Sequence, residues 1–151
     1  MNLIKLQDEI ANDEGIKYEL YRCSEGHLTG GIGHLITEWD EEFYGQPVGT
    51  KVPHEQVNDW FERDIQVSIS DCKELFDDFD SLPEEIQRVL ANMSFQLGRP
   101  TLSKFKNMIA AVNNNDYQEM ANQMEDSRWY RQTPNRAQRL IDRVLTQGIP
   151  H

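Results

Sequence analysis

The stretch from Glu14 to His34, EGIKYELYRCSEGHLTGGIGH, constrains the fold more than any other part of the chain. Tyr18, Leu20 and Tyr21 sit among polar residues, a pattern that suits a half-buried strand better than a helix. Gly26 and then Gly30, Gly31 and Gly33 supply turns and allow close approach of backbone to a neighbour. Strands are predicted near 17–22, 27–30 and 32–36. The same stretch holds Glu14, Cys23, Glu25, His27, Thr29 and His34. Most of the acid, base and nucleophile chemistry of the N-terminal third is therefore concentrated on a small sheet, which suits hydrolysis of something extended and polar.

Around this sheet the periodicity is helical. Leu3, Ile4, Leu6, Ile10 and Ala11 predict a short amphipathic helix over 2–12. Residues 38–53 read as an irregular loop, with turn signals at Tyr44-Gly45 and Pro47. Pro53 then suits a helix start. The spacing of Val57, Trp60, Phe61, Ile65 and Cys72 predicts a helix from His54 to about Phe76. Such a helix reaches about 30 Å, enough to link two lobes. The run Asp77–Ser81 breaks it.

Pro83 starts a second strong helix, apolar on more than one face and stopped by Gly98. It is the expected central helix of the larger lobe. Further helices are predicted over Leu102–Val112, from Asp116 as cap to about Glu125, and from Arg136 to about Thr146 with Thr133 or Asn135 as cap. Ser127–Tyr130 reads as a short turn. The resulting expectation is an α+β chain with an N-terminal lobe over about 13–53, a linking helix over 54–76, and a helical lobe over 77–151 that includes helix 2–12.

At 151 residues the chain fits one domain or one domain in two lobes, with a sizeable core. No apolar run approaches the roughly 18 residues that a membrane span needs. The start MNLIKLQDEIANDEG has early acids and no apolar core, unlike a signal peptide. Two distant cysteines then read as free thiols in a reducing compartment. The net charge of −11 is uneven: residues 1–50 carry 3 basic and 10 acidic side chains, residues 51–98 carry 4 and 11, and residues 99–151 carry 8 and 5. No segment has the dense basic footprint that nucleic acid requires.

Glu14 lies at the junction of helix and sheet, where a lone Glu is ordinarily a solvated helix-end residue. It gains interest because glycosidase chemistry needs a carboxylic acid to protonate the leaving oxygen and a partner across the bond. Cys23 can be that partner as a thiolate, deprotonating water or attacking carbon. A cysteine is also often a small buried hydrophobe; Cys72, in a helical apolar stripe, fits that description and Cys23 does not. Thr29 can orient a water through its hydroxyl, or serve simply as a strand former. With His27 and His34, Cys23 could instead form a Cys/His hydrolase pair or a metal cluster. The first lacks an evident Asn or Gln helper, and the second matches no structural zinc spacing.

Taken together, Glu14, Cys23, Thr29 and Gly31-Ile32-Gly33-His34 resemble the active-site hairpin of the phage lysozymes of glycoside hydrolase family 24, the T4 lysozyme type. Asn92-Met93-Ser94-Phe95-Gln96-Leu97-Gly98 is similar to the family's central-helix motif. Ser127-Arg128-Trp129-Tyr130-Arg131-Gln132-Thr133-Pro134-Asn135-Arg136-Ala137 is similar to a second family run. The matches come in order and cover nearly the whole chain.

The resemblance implies a two-lobed, lysozyme-like α+β fold and an inverting muramidase. Its bond would be the β-1,4 linkage between N-acetylmuramic acid and N-acetylglucosamine in peptidoglycan. Glu14 would be the general acid, Cys23 would stand where the family has Asp or Cys, and Thr29 would help place the water. Arg136 would pair with the catalytic Glu, and His34 with Asp64. Glu25, Gly33, Leu35, Phe95, Gln96 and Arg128 would line the substrate site. A phage endolysin is implied, monomeric, without cofactor or metal, held in the host cytoplasm until another protein opens a membrane pore. The competing expectations are a catalytically inactive peptidoglycan-binding relative and, more distantly, a Cys/His peptidase. Two features depart from the best-known member of the family: the chain is acidic, and Cys occupies the carboxylate position. Glu14 and Glu25 should push the thiol pKa up while Arg22 lowers it, which predicts activity rising into mildly alkaline pH.

Overall fold

The computed structural model describes residues 1–148. Its elements are α1 (Leu3–Glu14), β1 (Lys17–Arg22), β2 (Leu28–Gly31), β3 (His34–Leu35), α2 (His54–Leu75), α3 (Glu84–Leu97), α4 (Arg99–Leu102), α5 (Lys106–Asn113), α6 (Tyr117–Glu125), α7 (Arg128–Gln132) and α8 (Pro134–Gly148). The fold class is α+β, a three-stranded antiparallel sheet followed by a mostly helical part. Two compact units are present: Gln7–Val67, and Met1–Leu6 with Ser68 onward.

In the unit Gln7–Val67 the strands lie in the order β1-β2-β3. Tyr21 faces Thr29 across β1 and β2, and Thr29 faces Leu35 across β2 and β3. Leu20 is the fully buried residue of β1, which otherwise presents polar and half-exposed side chains. With Ile32, Ile36, Phe43, Val52, Val57 and Trp60 it forms the core of this unit. Burying each such large side chain stabilises by about 1.5–3 kcal/mol. Gly30 permits that packing: a Cβ there would lie 3.1 Å from Leu20 Cδ2 and 3.2 Å from Trp60 Cζ3. The loop 38–53 contains no strand, only a bridge from Lys51 to Glu19.

In the other unit α3 is the centre. Its nine consecutive residues Ile86–Ser94 are all buried, as expected of a helix apolar on more than one face. Residues of α5, α6 and α8, including Met108, Met120, Leu140 and Val144, complete that core. Gly98 closes α3 at φ 78, its N–H donating to Ser94 O at 2.8 Å. Asp116 caps α6, its carboxylate accepting the Glu119 N–H at 3.1 Å. Such caps contribute about 1 kcal/mol each.

Several boundaries differ from the sequence expectation. α1 runs on to Glu14 where 2–12 is predicted, β3 is His34–Leu35 where 32–36 is predicted, and three more differences lie in the helical unit. The predicted helix Leu102–Val112 begins only at Lys106: Leu102 ends the short α4, and Ser103–Phe105 separate it from α5. Ser103 turns its hydroxyl onto Pro100 O at 2.7 Å, and Phe105 leaves the helical region at ψ 57. A serine that bonds its own local backbone offers the chain an alternative to the helical ladder. The predicted turn Ser127–Tyr130 is the start of α7, which Ser127 caps by accepting the Tyr130 N–H at 3.1 Å. The last helix begins two residues early, at Pro134, because a proline at the first helical position has no N–H to leave unsatisfied.

Candidate active site

Glu14 is the last residue of α1, half-buried, where Gly15 turns the chain into β1. Gly33, between β2 and β3, adopts φ 62 and lies against it: a Cβ on Gly33 would fall 3.0 Å from both Cδ and Oε2 of Glu14. Two requirements, a left-handed backbone and room for a carboxylate, therefore select glycine at one position.

Cys23 sits in the tight loop that joins β1 to β2. Its N–H donates to His27 O at 2.9 Å, its carbonyl accepts the Gly26 N–H at 2.8 Å, and Arg22 Nη1 donates to Gly26 O at 3.0 Å. Burial raises the thiol pKa, but the backbone N–H groups of Glu25 and His27 and the Thr29 hydroxyl outweigh it. The Glu25 carboxylate opposes them, and the net result is a pKa below the ordinary thiol value. Of the side chains weighed in the sequence, Glu25 acts in the expected direction, and the backbone amides add an influence that charge alone does not show. The stabilising groups are amides of the turn itself, as in a turn closed by an aspartate side chain.

Thr29 is 4% exposed and its Oγ1 donates to His27 O at 2.9 Å. The same hydroxyl lies near enough to Cys23 to help lower its thiol pKa. Tyr21 faces Thr29 across the strands. Its phenol is raised in pKa by burial first, then by the charges of Glu14 and Cys23. Tyr21 on β1 thus lies near both Glu14 and Cys23 and opposite Thr29.

The two nearby histidines face carboxylates rather than the thiol. The exposed His27 lies 4.0 Å from Glu25 through its Nε2. His34 Nδ1 is 2.7 Å from Asp64 Oδ2 and its Nε2 is 3.1 Å from Asp40 Oδ2, while the ring stacks on Trp60 at 4.3 Å. Burial lowers the His34 pKa, yet Asp64 and then Asp40 more than reverse this, so the imidazole is held cationic above its ordinary range. Asp40 was not singled out in the sequence; its position in a loop four residues from any strand or helix pattern offered no signal. Leu35 is half exposed on β3, opposite Thr29. Among the described residues no group of three or more His, Cys, Asp or Glu could hold a metal ion.

The remaining candidates belong to the helical unit. Arg136 is buried on α8, with Nε and Nη2 at 3.0 and 2.8 Å from Asn92 Oδ1 on α3. Gln96 accepts the Trp129 indole N–H at 2.9 Å and donates to Thr133 Oγ1 at 3.4 Å, so it braces α3 against α7. Phe95 is half-buried on α3, and Arg128 is exposed at the start of α7.

The family model described as phage lysozyme matches residues 11–145. A probable T4-type lysozyme 1 of Dictyostelium discoideum is 31% identical, over 93% of this chain and 94% of its own length. Probable T4-type lysozyme 2 of the same organism is 32% identical, over 90% and 91%. A peptidoglycan hydrolase, gp36, of Pseudomonas phage phiKMV is 28% identical over 90% of this chain, which covers 14% of that protein. An N-terminal acidic helix end, a small three-stranded sheet and a helical remainder agree with these matches. The chain belongs to the phage lysozyme family of glycoside hydrolases.

Proposed function

We propose that this lysozyme hydrolyses the β-1,4 bond between N-acetylmuramic acid and N-acetylglucosamine in peptidoglycan, with inversion, and serves as a phage endolysin. The observation that carries the reading is the Cys23 loop. Its sulfur is stabilised as an anion by the N–H groups of Glu25 and His27 and by Thr29. A thiolate held this way accepts a proton from water, as a carboxylate would at the same position. Glu14, set against Gly33 by the turn after α1, protonates the leaving oxygen. Thr29, whose hydroxyl donates to His27 O and helps lower the Cys23 thiol pKa, helps place the water.

His34, clamped between Asp40 and Asp64, holds β3 and the following loop in register behind this chemistry. Gly33 and Leu35 on the sheet, Glu25 beside the thiol, and Phe95, Gln96, Arg128 and Arg136 in the helical unit complete the assignment. Gln96 acts by bracing α7, because both ends of its amide are engaged there. In an endolysin the enzyme waits in the host cytoplasm for a pore made by another phage protein. Purified peptidoglycan tests the reaction: reducing sugar ends should appear without free amino groups. Amino groups in place of reducing ends would show a peptidase instead.

A further inference from the structure

The loop after β3 carries an indole that neither the core nor the proposed chemistry uses. Trp39 is 85% exposed, whereas Trp60 and Trp129 are 2% and 3% exposed. Leu35, Tyr44 and Val48, from the same stretch, are also exposed. An isolated exposed apolar side chain is ordinary, but four large ones within fourteen residues, from the end of β3 through the loop after it, are not.

The loop is fixed on both sides of the indole. Spanning it, Asp40 accepts the Thr37 N–H at 2.9 Å and faces His34 Nε2, while the Asp40 N–H donates to Thr37 O at 2.9 Å. After it, Phe43 is buried edge-on against Trp60 at 5.2 Å, and its N–H donates to Asp40 O at 2.8 Å. Trp39 therefore stands on a braced turn, presented outward without the ordering cost that a floppy loop would add on binding. It lies four residues beyond Leu35, which faces Thr29 across the sheet, so the chain places it within about 14 Å of that row.

We propose that Trp39 is a sugar-stacking residue that extends the glycan-binding surface of the sheet beyond Thr29 and Leu35. This rests on the peptidoglycan reading above and names a part of the substrate surface that it does not. The flat apolar faces of N-acetylhexosamine rings match an exposed indole, whose N–H serves their polar edges. The exposed carboxylates of Glu38, Glu41 and Glu42 flank it. They accept hydrogen bonds from sugar hydroxyls and repel anionic groups, an anionic bilayer and the lactyl carboxylate of N-acetylmuramic acid alike, so the ring that stacks on the indole is the neutral N-acetylglucosamine.

Acrylamide quenching of tryptophan fluorescence reports Trp39, because the other two indoles are buried. The probe is uncross-linked glycan strands of alternating N-acetylglucosamine and N-acetylmuramic acid, added to the Glu14→Gln variant so that no turnover is needed. Glycan should shield the quenchable indole, and anionic phospholipid vesicles should not. With the active enzyme, Trp39→Ala should raise KM for these strands about fivefold with kcat unchanged, and Trp39→Phe should recover most of that loss. Shielding by vesicles and not by glycan, or an unchanged KM in Trp39→Ala, would overturn the inference. Shielding with no release of reducing ends by the wild type would uphold it while defeating the catalytic reading.

Discussion

Gly33 and Glu14 are in direct contact: a Cβ on Gly33 would stand 3.0 Å from the Glu14 carboxyl carbon and push the carboxylate aside. Gly33 also holds φ 62, where a side chain is strained whatever the space. Gly33→Ala should therefore destabilise by about 1–3 kcal/mol. It should also lower kcat by about tenfold to a hundredfold by displacing the acid. Thermal unfolding and reducing-end release on the same preparation separate the two effects. An alanine variant of normal activity would mean that the Glu14 position is not critical.

The lowered pKa of Cys23 sets the pH dependence. A base must be deprotonated to act, so the rate rises with pH through the thiol pKa. Because turn N–H groups and Thr29 hold that pKa below the ordinary value, the rising limb of kcat/KM should lie below about pH 8.5. Thr29→Val removes one stabilising donor. It should move the limb to higher pH and cost about tenfold in rate at pH 7, while Thr29→Ser retains the wild-type profile.

His34 makes a contribution to stability of the opposite sign in pH. Its folded pKa is raised above the unfolded value, so its pairing with Asp64 and Asp40 stabilises fully below the unfolded pKa. That contribution disappears as pH rises through the folded value. Asp40→Asn should cost about 1.5–3 kcal/mol near pH 6. The gap from wild type should narrow as the medium becomes alkaline, as read by urea unfolding across pH. A gap that widens with pH would contradict a cationic His34.

Arg136 is buried, and Asn92 Oδ1 accepts both its Nε and its Nη2. Asn92→Leu fills similar space without an acceptor. It should destabilise by about 1.5–3 kcal/mol, the cost typical of losing hydrogen bonds to a charged group. Chemical denaturation would show this as a lower midpoint at unchanged slope.

Much of the fold was legible because it rests on local rules. Pro83 and Gly98 bracket α3, Asp116 caps α6, and the Tyr–Leu–Tyr pattern with its glycines marks the sheet. The break at Ser103–Phe105 was not legible, since Leu102, Met108 and Val112 keep an apolar periodicity across it. Two features of the site were also hidden. Asp40 reaches His34 only after the loop 37–43 folds back on itself, which depends on Phe43 finding Trp60. The groups that hold the Cys23 thiolate are backbone amides, and amides carry no residue identity to read. Counting charged side chains alone therefore left out the groups that lower that pKa.

The central claim is that Glu14 gives the proton and Cys23 takes one. It is tested most directly by kcat/KM on purified peptidoglycan for wild type, Glu14→Gln, Cys23→Ser and Cys23→Asp, with folding checked by circular dichroism. Glu14→Gln and Cys23→Ser should each fall by about 10²–10⁴. Cys23→Asp should stay within about tenfold of wild type, because an aspartate oxygen can accept the same turn N–H groups. Full activity in folded Cys23→Ser would contradict the account, since a serine hydroxyl cannot act as the base at neutral pH.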